Sequence, residues 1–197
     1  MHDIEQQLAF ILELDKLKAV QRKAMIKCDN NRYENSAEHS WHIALMAQVL
    51  VPYAEKPVNI ARVTTMLLLH DIVEIDAGDT FAFAPEDALA AQEAKEVQAA
   101  ERIFGLLPKS QEAQYLALWL EFEAAQTDDA QFAKAMDRIL PLVQNMQNNG
   151  GSWAQNQVAK HQVIARNQYL EEAAPKLWLY ALGQIEIACA NGWLIEQ

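Results

Sequence analysis

The chain has 197 residues, 51% of them hydrophobic, and a formal net charge of −11 at pH 7. This length and apolar content predict one compact domain, residues 1–197, able to bury roughly 70% of its unfolded surface. The acidic balance argues against a nucleic-acid partner, because binding to a polyanion normally requires a basic face.

Helical periodicity dominates the first half of the chain. Residues 3–20 are amphipathic and predict a first helix, and an irregular stretch at 27–36 follows it. Asn35 can cap the next helix, and Glu38 three positions later can close a capping box. Pro57 and Asn59 mark the start of a further helix, which is expected to end near Ile75.

The second half continues in the same way. The segment 77–88 has the glycine, proline and aromatic content of a loop and is either a substrate wall or a plain connector. Helices are predicted at 89–104, from about Pro108 to Ala125, from a cap at Thr127 to 148–151, and at 154–172 and 176–191. No stretch shows the alternation of a β-strand, so an all-α fold is expected.

No signal peptide or membrane span is evident. The chain starts without a basic segment, and the apolar run at 63–69 is far shorter than the ~20 residues that a membrane span needs. Cys28 and Cys189 form no metal-binding or redox spacing. A reduced, cytoplasmic setting is therefore expected.

Four side chains in these helices suit a metal ion: His39, His70, Asp71 and Asp137. Two imidazoles and two carboxylates would neutralise a divalent first-row metal and leave positions open for water or a phosphate oxygen. His70 and Asp71 follow an apolar run, so they are expected to be buried and either paired or bound to metal. The pattern points to metal-assisted phosphoester hydrolysis.

The four residues lie in three segments that carry a family resemblance. These segments are AEHSWHIALMA at 37–47, LLLHDIVEIDAGD at 67–79 and AKAMDRILPLVQN at 133–145. The chain resembles the HD-domain metal-dependent phosphohydrolases, and within them the 5'-deoxynucleotidase-like branch. The resemblance extends over about 17–145. It implies a helical HD-type bundle with additional C-terminal helices at 154–191. It also supports Asp137 as a metal ligand, although Asp137 taken alone would suggest a surface carboxylate.

Further residues have predicted roles around the metal ligands, some from the resemblance and some from their spacing to the ligands. Arg22 matches a family position that contacts the substrate phosphate. Glu74 is our choice for the general acid or base, and Asp79, in the family's Gly-Asp pair, is the second candidate. Glu38 and Arg138 are each adjacent to a ligand and are predicted to orient it.

The surroundings of Arg22 leave a further question open. Six basic residues and only one acidic residue, Asp29, lie between positions 16 and 32. This local excess of positive charge either receives a small phosphate or is a solvated basic segment.

One divalent ion is preferred over two. Two-metal HD phosphodiesterases carry additional histidines between the positions of Asp71 and Asp137, and this chain has none there. The donor set does not select among Mn, Co, Mg, Zn, Fe and Ni. The resemblance and the abundant apolar helix faces together suggest a homo-oligomer, with a dimer favoured.

The leading hypothesis is a metal-dependent phosphomonoesterase that converts a nucleoside or deoxynucleoside 5'-monophosphate, or a similar small phosphate, to its alcohol and inorganic phosphate. Two alternatives stay open. One is a regulatory protein that binds metal and nucleotide without turnover. The other is an HD-type alarmone pyrophosphohydrolase, although those enzymes carry Glu-Asp where this chain has Glu74 and Ile75.

Overall fold

Helices account for most of the chain. The computed structural model describes residues 3–196 and confirms the expected all-α class. The helices are α1 (Asp3–Glu13), α2 (Ser36–Leu50), α3 (Ile60–Leu69), α4 (Glu74–Ala77), α5 (Glu86–Phe104), α6 (Lys109–Ala124), α7 (Asp128–Gln147), α8 (Gly151–Gln155), α9 (Lys160–Asn167), α10 (Leu170–Ala173) and α11 (Pro175–Ala190). Among the described residues, no helix is both long enough and apolar enough to cross a membrane.

The helix starts follow local sequence signals. The side chain of Asn35 accepts a hydrogen bond from the backbone N–H of Glu38, whose carboxylate accepts one from the N–H of Asn35, so the predicted capping box is present. Asn59 and Thr127 cap α3 and α7 in the predicted manner. These caps satisfy N–H groups that have no partner inside a helix.

The core is built around α7. This helix packs against α2, α3 and α6 on one side and against the C-terminal helices on the other. Fully buried side chains from three elements, among them Ile43, Leu67 and Met136, meet there. The helix continues through Pro141, whose carbonyl accepts a hydrogen bond from the side chain of Asn145.

A β-hairpin stands where the sequence predicted no strand. Strands β1 (Gln21–Ile26) and β2 (Arg32–Asn35) pair antiparallel, with an irregularity in register between Gln21 and Met25. The chain reverses through a short turn followed by Asn30 and Asn31, which have φ angles of 51° and 58°. Asparagine adopts this left-handed conformation more readily than most residues, so the Asn-Asn pair was an overlooked turn signal.

The predicted helix ending near Ile75 is divided in two. Helix α3 ends at Leu69, a tighter 3-10 turn covers His70–Val73, and α4 begins at Glu74. All four residues of the turn are buried, and the indole N–H of Trp119 donates to the carbonyl of His70 at 3.2 Å. The turn therefore holds the His-Asp pair within the core.

The C-terminal region also departs from the prediction. The single helix expected at 154–172 is three short helices, α8, α9 and α10. Gly150 enters α8 with a φ angle of 90°, and a Cβ atom there would lie 2.6 Å from the Cβ of Trp193. This close approach needs glycine, and it turns the chain so that α8 and α9 pack against α7.

Candidate metal centre

Three predicted ligands from distant parts of the chain converge. His39 is in the first turn of α2, His70 follows α3, and Asp137 lies in the middle of α7. One donor atom of each lies within 4.8 Å of the others. The Nε2 atom of His39 is 3.0 Å from Oδ1 of Asp137, and that of His70 is 3.7 Å from the same oxygen.

Asp71, the fourth predicted ligand, borders this cluster. Its Oδ1 atom lies 2.9 Å from Nε2 of His70, and its Oδ2 atom accepts a hydrogen bond from Arg22 at 2.7 Å. It lies outside the group of three donors that are mutually within 4.8 Å. The carboxylate of Asp71 therefore links His70 to the guanidinium of Arg22.

The orientation of His70 leaves a nitrogen available for a cation. Its Nδ1–H donates to the carbonyl of Leu67 at 2.8 Å, because a carbonyl can only accept. Its Nε2 atom is buried without a hydrogen-bond partner among the described residues, although Asp71 is close. An imidazole fixed at one nitrogen, with the other facing carboxylates, has the arrangement of a metal ligand.

Glu34 lies behind His39 and was not identified from the sequence. It is 2% exposed, and its Oε2 atom lies 3.3 Å from Nδ1 of His39. Its other oxygen accepts a hydrogen bond from Gln144 at 2.8 Å. A carboxylate this close to Nδ1 favours a proton on that nitrogen, which leaves the Nε2 atom of His39 to face Asp137.

The structure places Glu38 elsewhere. Its side chain is 37% exposed, accepts hydrogen bonds from Arg32 at 2.7 and 2.9 Å, and closes the capping box. The carboxylate beside the His39 ring is thus that of Glu34, whereas the sequence predicted Glu38 in this place. No signal in the sequence singles out Glu34, because the polar Glu34 is buried in β2 whereas its aromatic neighbour Tyr33 is exposed.

The electrostatics of the cluster favour a cation. Burial by itself would lower the pKa of His70, but Asp71 and Asp137 outweigh it and raise the pKa to about 10. Burial would raise the pKa of Asp137, yet its hydrogen bond with His39 and the nearby imidazole of His70 hold that pKa well below the usual value. A site that retains a proton so strongly in the absence of metal also suits a metal cation, so the residues present fit a divalent ion.

The pKa of Glu74 is shifted in the opposite direction from that of Asp137. Burial, with the nearby charge of Asp71, raises the pKa of Glu74 well above its usual value. The hydroxyl of Ser36 donates to its Oε2 atom. Burial also raises the pKa of Asp79, although Arg22 opposes the shift. The site therefore combines ionised carboxylates with one that is predisposed to carry a proton.

Of the basic segment at 16–32, Arg22 reaches the cluster. Its side chain is 13% exposed, and its Nε atom lies 3.7 Å from Glu34. Lys16, Lys18 and Arg32 pair with acidic neighbours at the surface. The solvated interpretation of this segment therefore holds for these residues but not for Arg22.

The cluster opens into a groove of about 590 Å³. His70, Asp71, Glu74, Asp79 and Asp137 line it, together with three arginines, Arg22, Arg138 and Arg166. A smaller chamber of about 90 Å³ shares the three arginines and continues past Phe81, Phe83 and Trp153. The segment 77–88 therefore contributes a wall of this cavity, as one of the two interpretations expected.

Arg138 and Arg166 form the side of the groove nearest α9. A nitrogen of the Arg138 guanidinium, Nη1, donates to the backbone carbonyl of Arg166 at 2.8 Å, and its Nε atom lies 3.9 Å from Oδ2 of Asp137. Arg138 thus contacts the ligand beside it only at the edge of ion-pair distance. Arg166 was not singled out in the sequence, where it lies beyond the matching motifs.

Comparison with known proteins places this arrangement in a family. The profile of the HD domain family matches residues 14–178. A solved structure described as a predicted metal-dependent phosphohydrolase from Magnetospirillum magnetotacticum is 45% identical and has a TM-score of 0.92. The match covers 98% of this chain and 96% of that one.

Curated relatives are more distant. The human 5'-deoxynucleotidase HDDC2 is 28% identical over 145 residues, which cover 73% of this chain and 68% of the relative. The 5'-deoxynucleotidase PM0747 of Pasteurella multocida is 30% identical over 142 residues, covering 68% of this chain and 71% of the relative. Both names agree with the branch suggested by the motifs.

A substitution at Glu34 tests its contact with His39. We expect Glu34→Gln to weaken divalent-metal affinity by about 10- to 100-fold, because the imidazole loses the carboxylate that orients it. Titration calorimetry on the metal-free protein measures the effect. Glu38→Gln is the matched control and should bind metal like the wild type; equal affinities in all three proteins would contradict the assignment.

The pH dependence of the metal-free protein tests the electrostatics of His70. Because its pKa is raised from 6.5 to about 10, His70 stabilises the fold fully below pH 6.5. This stabilisation should be lost progressively between pH 6.5 and about 10. Urea unfolding of the wild type and His70→Gln across this range isolates the contribution, since the difference between them should shrink as the pH rises. A difference independent of pH would contradict the shift.

Proposed function

Because this chain belongs to the HD domain family, a family of metal-dependent phosphohydrolases, we propose that it hydrolyses nucleoside 5'-monophosphates, including deoxynucleotides, to nucleoside and inorganic phosphate. The observation that carries the proposal is one groove that combines a cation site, a buried carboxyl group with a raised pKa and three guanidinium groups. Relatives named 5'-deoxynucleotidase support the choice of substrate.

His39, His70, Asp71 and Asp137 are the residues that would hold one divalent ion. When bound there, the ion supplies Lewis-acid polarisation of the phosphoryl oxygens and lowers the pKa of a coordinated water. Asp71 would use the oxygen that faces His70, since its other oxygen already accepts from Arg22. Mn, Co, Mg, Zn, Fe and Ni all remain compatible with these donors.

Glu74 is proposed as the general acid. Burial raises its pKa and so favours the protonated carboxyl group, whose proton can pass to the 5'-oxygen as the phosphorus–oxygen bond breaks. Ser36 holds one oxygen of this carboxyl group and so fixes its direction. Asp79 lines both parts of the cavity and is proposed to bind the sugar, with the alternative role of proton donor.

Arg22 is proposed to bind the non-bridging phosphate oxygens. Its hydrogen bond to Asp71 fixes the plane of the guanidinium, and its Nε atom has no hydrogen-bond partner among the described residues. A planar guanidinium can make paired contacts with phosphate oxygens. Binding there would place the phosphoryl group beside Asp71 and therefore beside the cation site.

A binding protein without turnover is the main alternative, and an alarmone pyrophosphohydrolase is the other. The buried Glu74 favours catalysis over simple binding, because a carboxyl group with a raised pKa suits a proton donor and adds little to the binding of a metal. Nucleotide binding without product release would support the first alternative. Release of pyrophosphate rather than inorganic phosphate would support the second.

We also propose that the protein is a cytoplasmic homodimer. Helix α1 exposes four large apolar side chains, Ile4, Leu8, Ile11 and Leu12, each more than half exposed. They recur at helical spacing, so they form a continuous strip that a second copy would cover. The two cysteines are free, which agrees with a reducing compartment.

The activity is tested by a nucleotide screen with Mg, Mn, Co and Zn. We expect inorganic phosphate from 5'-monophosphates, its loss in His70→Asn, and a decrease in kcat of about 10²- to 10⁴-fold in Glu74→Gln with little change in KM. Glu38→Gln serves as the control and should keep wild-type kcat. No phosphate release with any of the four metals, or full kcat in Glu74→Gln, would contradict the proposal.

Light scattering coupled to size-exclusion chromatography tests the dimer. The wild type is expected at twice the monomer mass, and Leu8→Glu with Leu12→Glu is expected to elute as a monomer, because the charges would be buried in the interface. Leu179→Glu, an equally exposed position on α11, is the control. A wild-type monomer at micromolar concentration would refute the dimer.

A further inference from the structure

Arg166 is a cation in the groove without a partner for its charge. It lies on α9 and lines both the groove and the smaller chamber. None of the described residues makes an ion pair or hydrogen bond with its guanidinium. Its backbone carbonyl, by contrast, accepts the hydrogen bond from Arg138 that ties this part of α9 to α7.

The other arginines of the described chain all have a carboxylate within 4 Å. Arg22 pairs with Asp71, Arg32 with Asp29 and Glu38, Arg62 with Glu121 and Asp129, Arg102 with Asp76 and Glu13, and Arg138 lies near Asp137. In this protein, therefore, a guanidinium without an anion is an exception. The exception occurs in the cavity that contains the cation site.

The surroundings of Arg166 disfavour its charge. Burial lowers its pKa to about 10, and repulsion from Arg138 and Arg22 acts in the same direction against weaker attraction from Asp137 and Asp79. A cation kept in such surroundings destabilises the free protein. An anion bound in the groove would remove that penalty, so the arrangement is suited to recognising one.

We infer that the guanidinium of Arg166 binds the phosphoryl group of the substrate, with Arg138 acting as the positioning residue that secures its backbone. The inference rests on the proposed function for the identity of the anion. Arg22 and Arg166 differ in what they offer, because Arg22 shares its charge with Asp71 while Arg166 is uncompensated. Arg166 would accordingly contribute more to phosphate affinity, and Arg22 more to orientation beside the cation site.

The test measures inorganic phosphate binding to the metal-loaded protein by titration calorimetry, which needs no turnover. Arg166→Met keeps much of the aliphatic stem and the backbone carbonyl but removes the charge. We expect its phosphate affinity to fall roughly tenfold or more, as for the loss of a charged hydrogen bond. Arg166→Lys should bind with intermediate affinity. Arg62→Met, which removes an already paired guanidinium outside the cavity, should bind phosphate like the wild type.

The Tm of thermal unfolding in phosphate-free buffer distinguishes a phosphate-binding role of Arg166 from a structural one. If Arg166 stabilised the fold, its replacement would lower the Tm. Relief of the unfavourable charge should raise the Tm of Arg166→Met, whereas Arg62→Met, which loses two ion pairs, should have a lower Tm. The inference is overturned if Arg166→Met binds phosphate like the wild type, if its Tm falls, or if the wild type binds no phosphate. Failure of the nucleotide screen alongside the expected phosphate result would remove the proposed substrate but leave the anion site.

Discussion

The structure depends on a cluster of acidic and imidazole groups held inside an apolar core. Asp71, Asp137 and Glu34 are carboxylates in or beside this cluster, and their charges would be unfavourable there without nearby positive charge. In the metal-free protein the protonated form of His70 and the guanidinium of Arg22 supply it. The same requirement for positive charge is what makes the cluster a site for a divalent ion.

The β-hairpin also contributes buried charges to this cluster, although its sequence resembles that of a surface loop. It carries Arg22 on one strand and Glu34 on the other, so a cation and an anion enter the core together. Glu34 then contacts His39 at the start of α2. The capping box at Asn35 begins α2 directly after β2. It therefore also fixes the direction in which the chain runs from the hairpin to His39.

The C-terminal helices complete the cavity. The motif-bearing helices carry the candidate metal donors, while α8 and α9 contribute Trp153 and Arg166 to the lining. These short helices are held to α7 partly by Arg138, the residue next to Asp137. Residues from two parts of the chain that are distant in sequence thus line one cavity.

The sequence by itself determined the features that depend on near neighbours. Caps at Asn35, Asn59 and Thr127 act over three residues, and apolar periodicity acts over one or two helical turns, so both could be predicted together with the all-α class. The donors could be named because their residue types and motif order are written in the chain. Only the tertiary structure decided the rest. Glu34 lies beside His39 and accepts a hydrogen bond from Gln144, 110 positions away, and Arg166 became an unpaired cation because α9 folds back against α7. Burial and charge compensation depend on which distant segments pack together, and no local pattern contains that information.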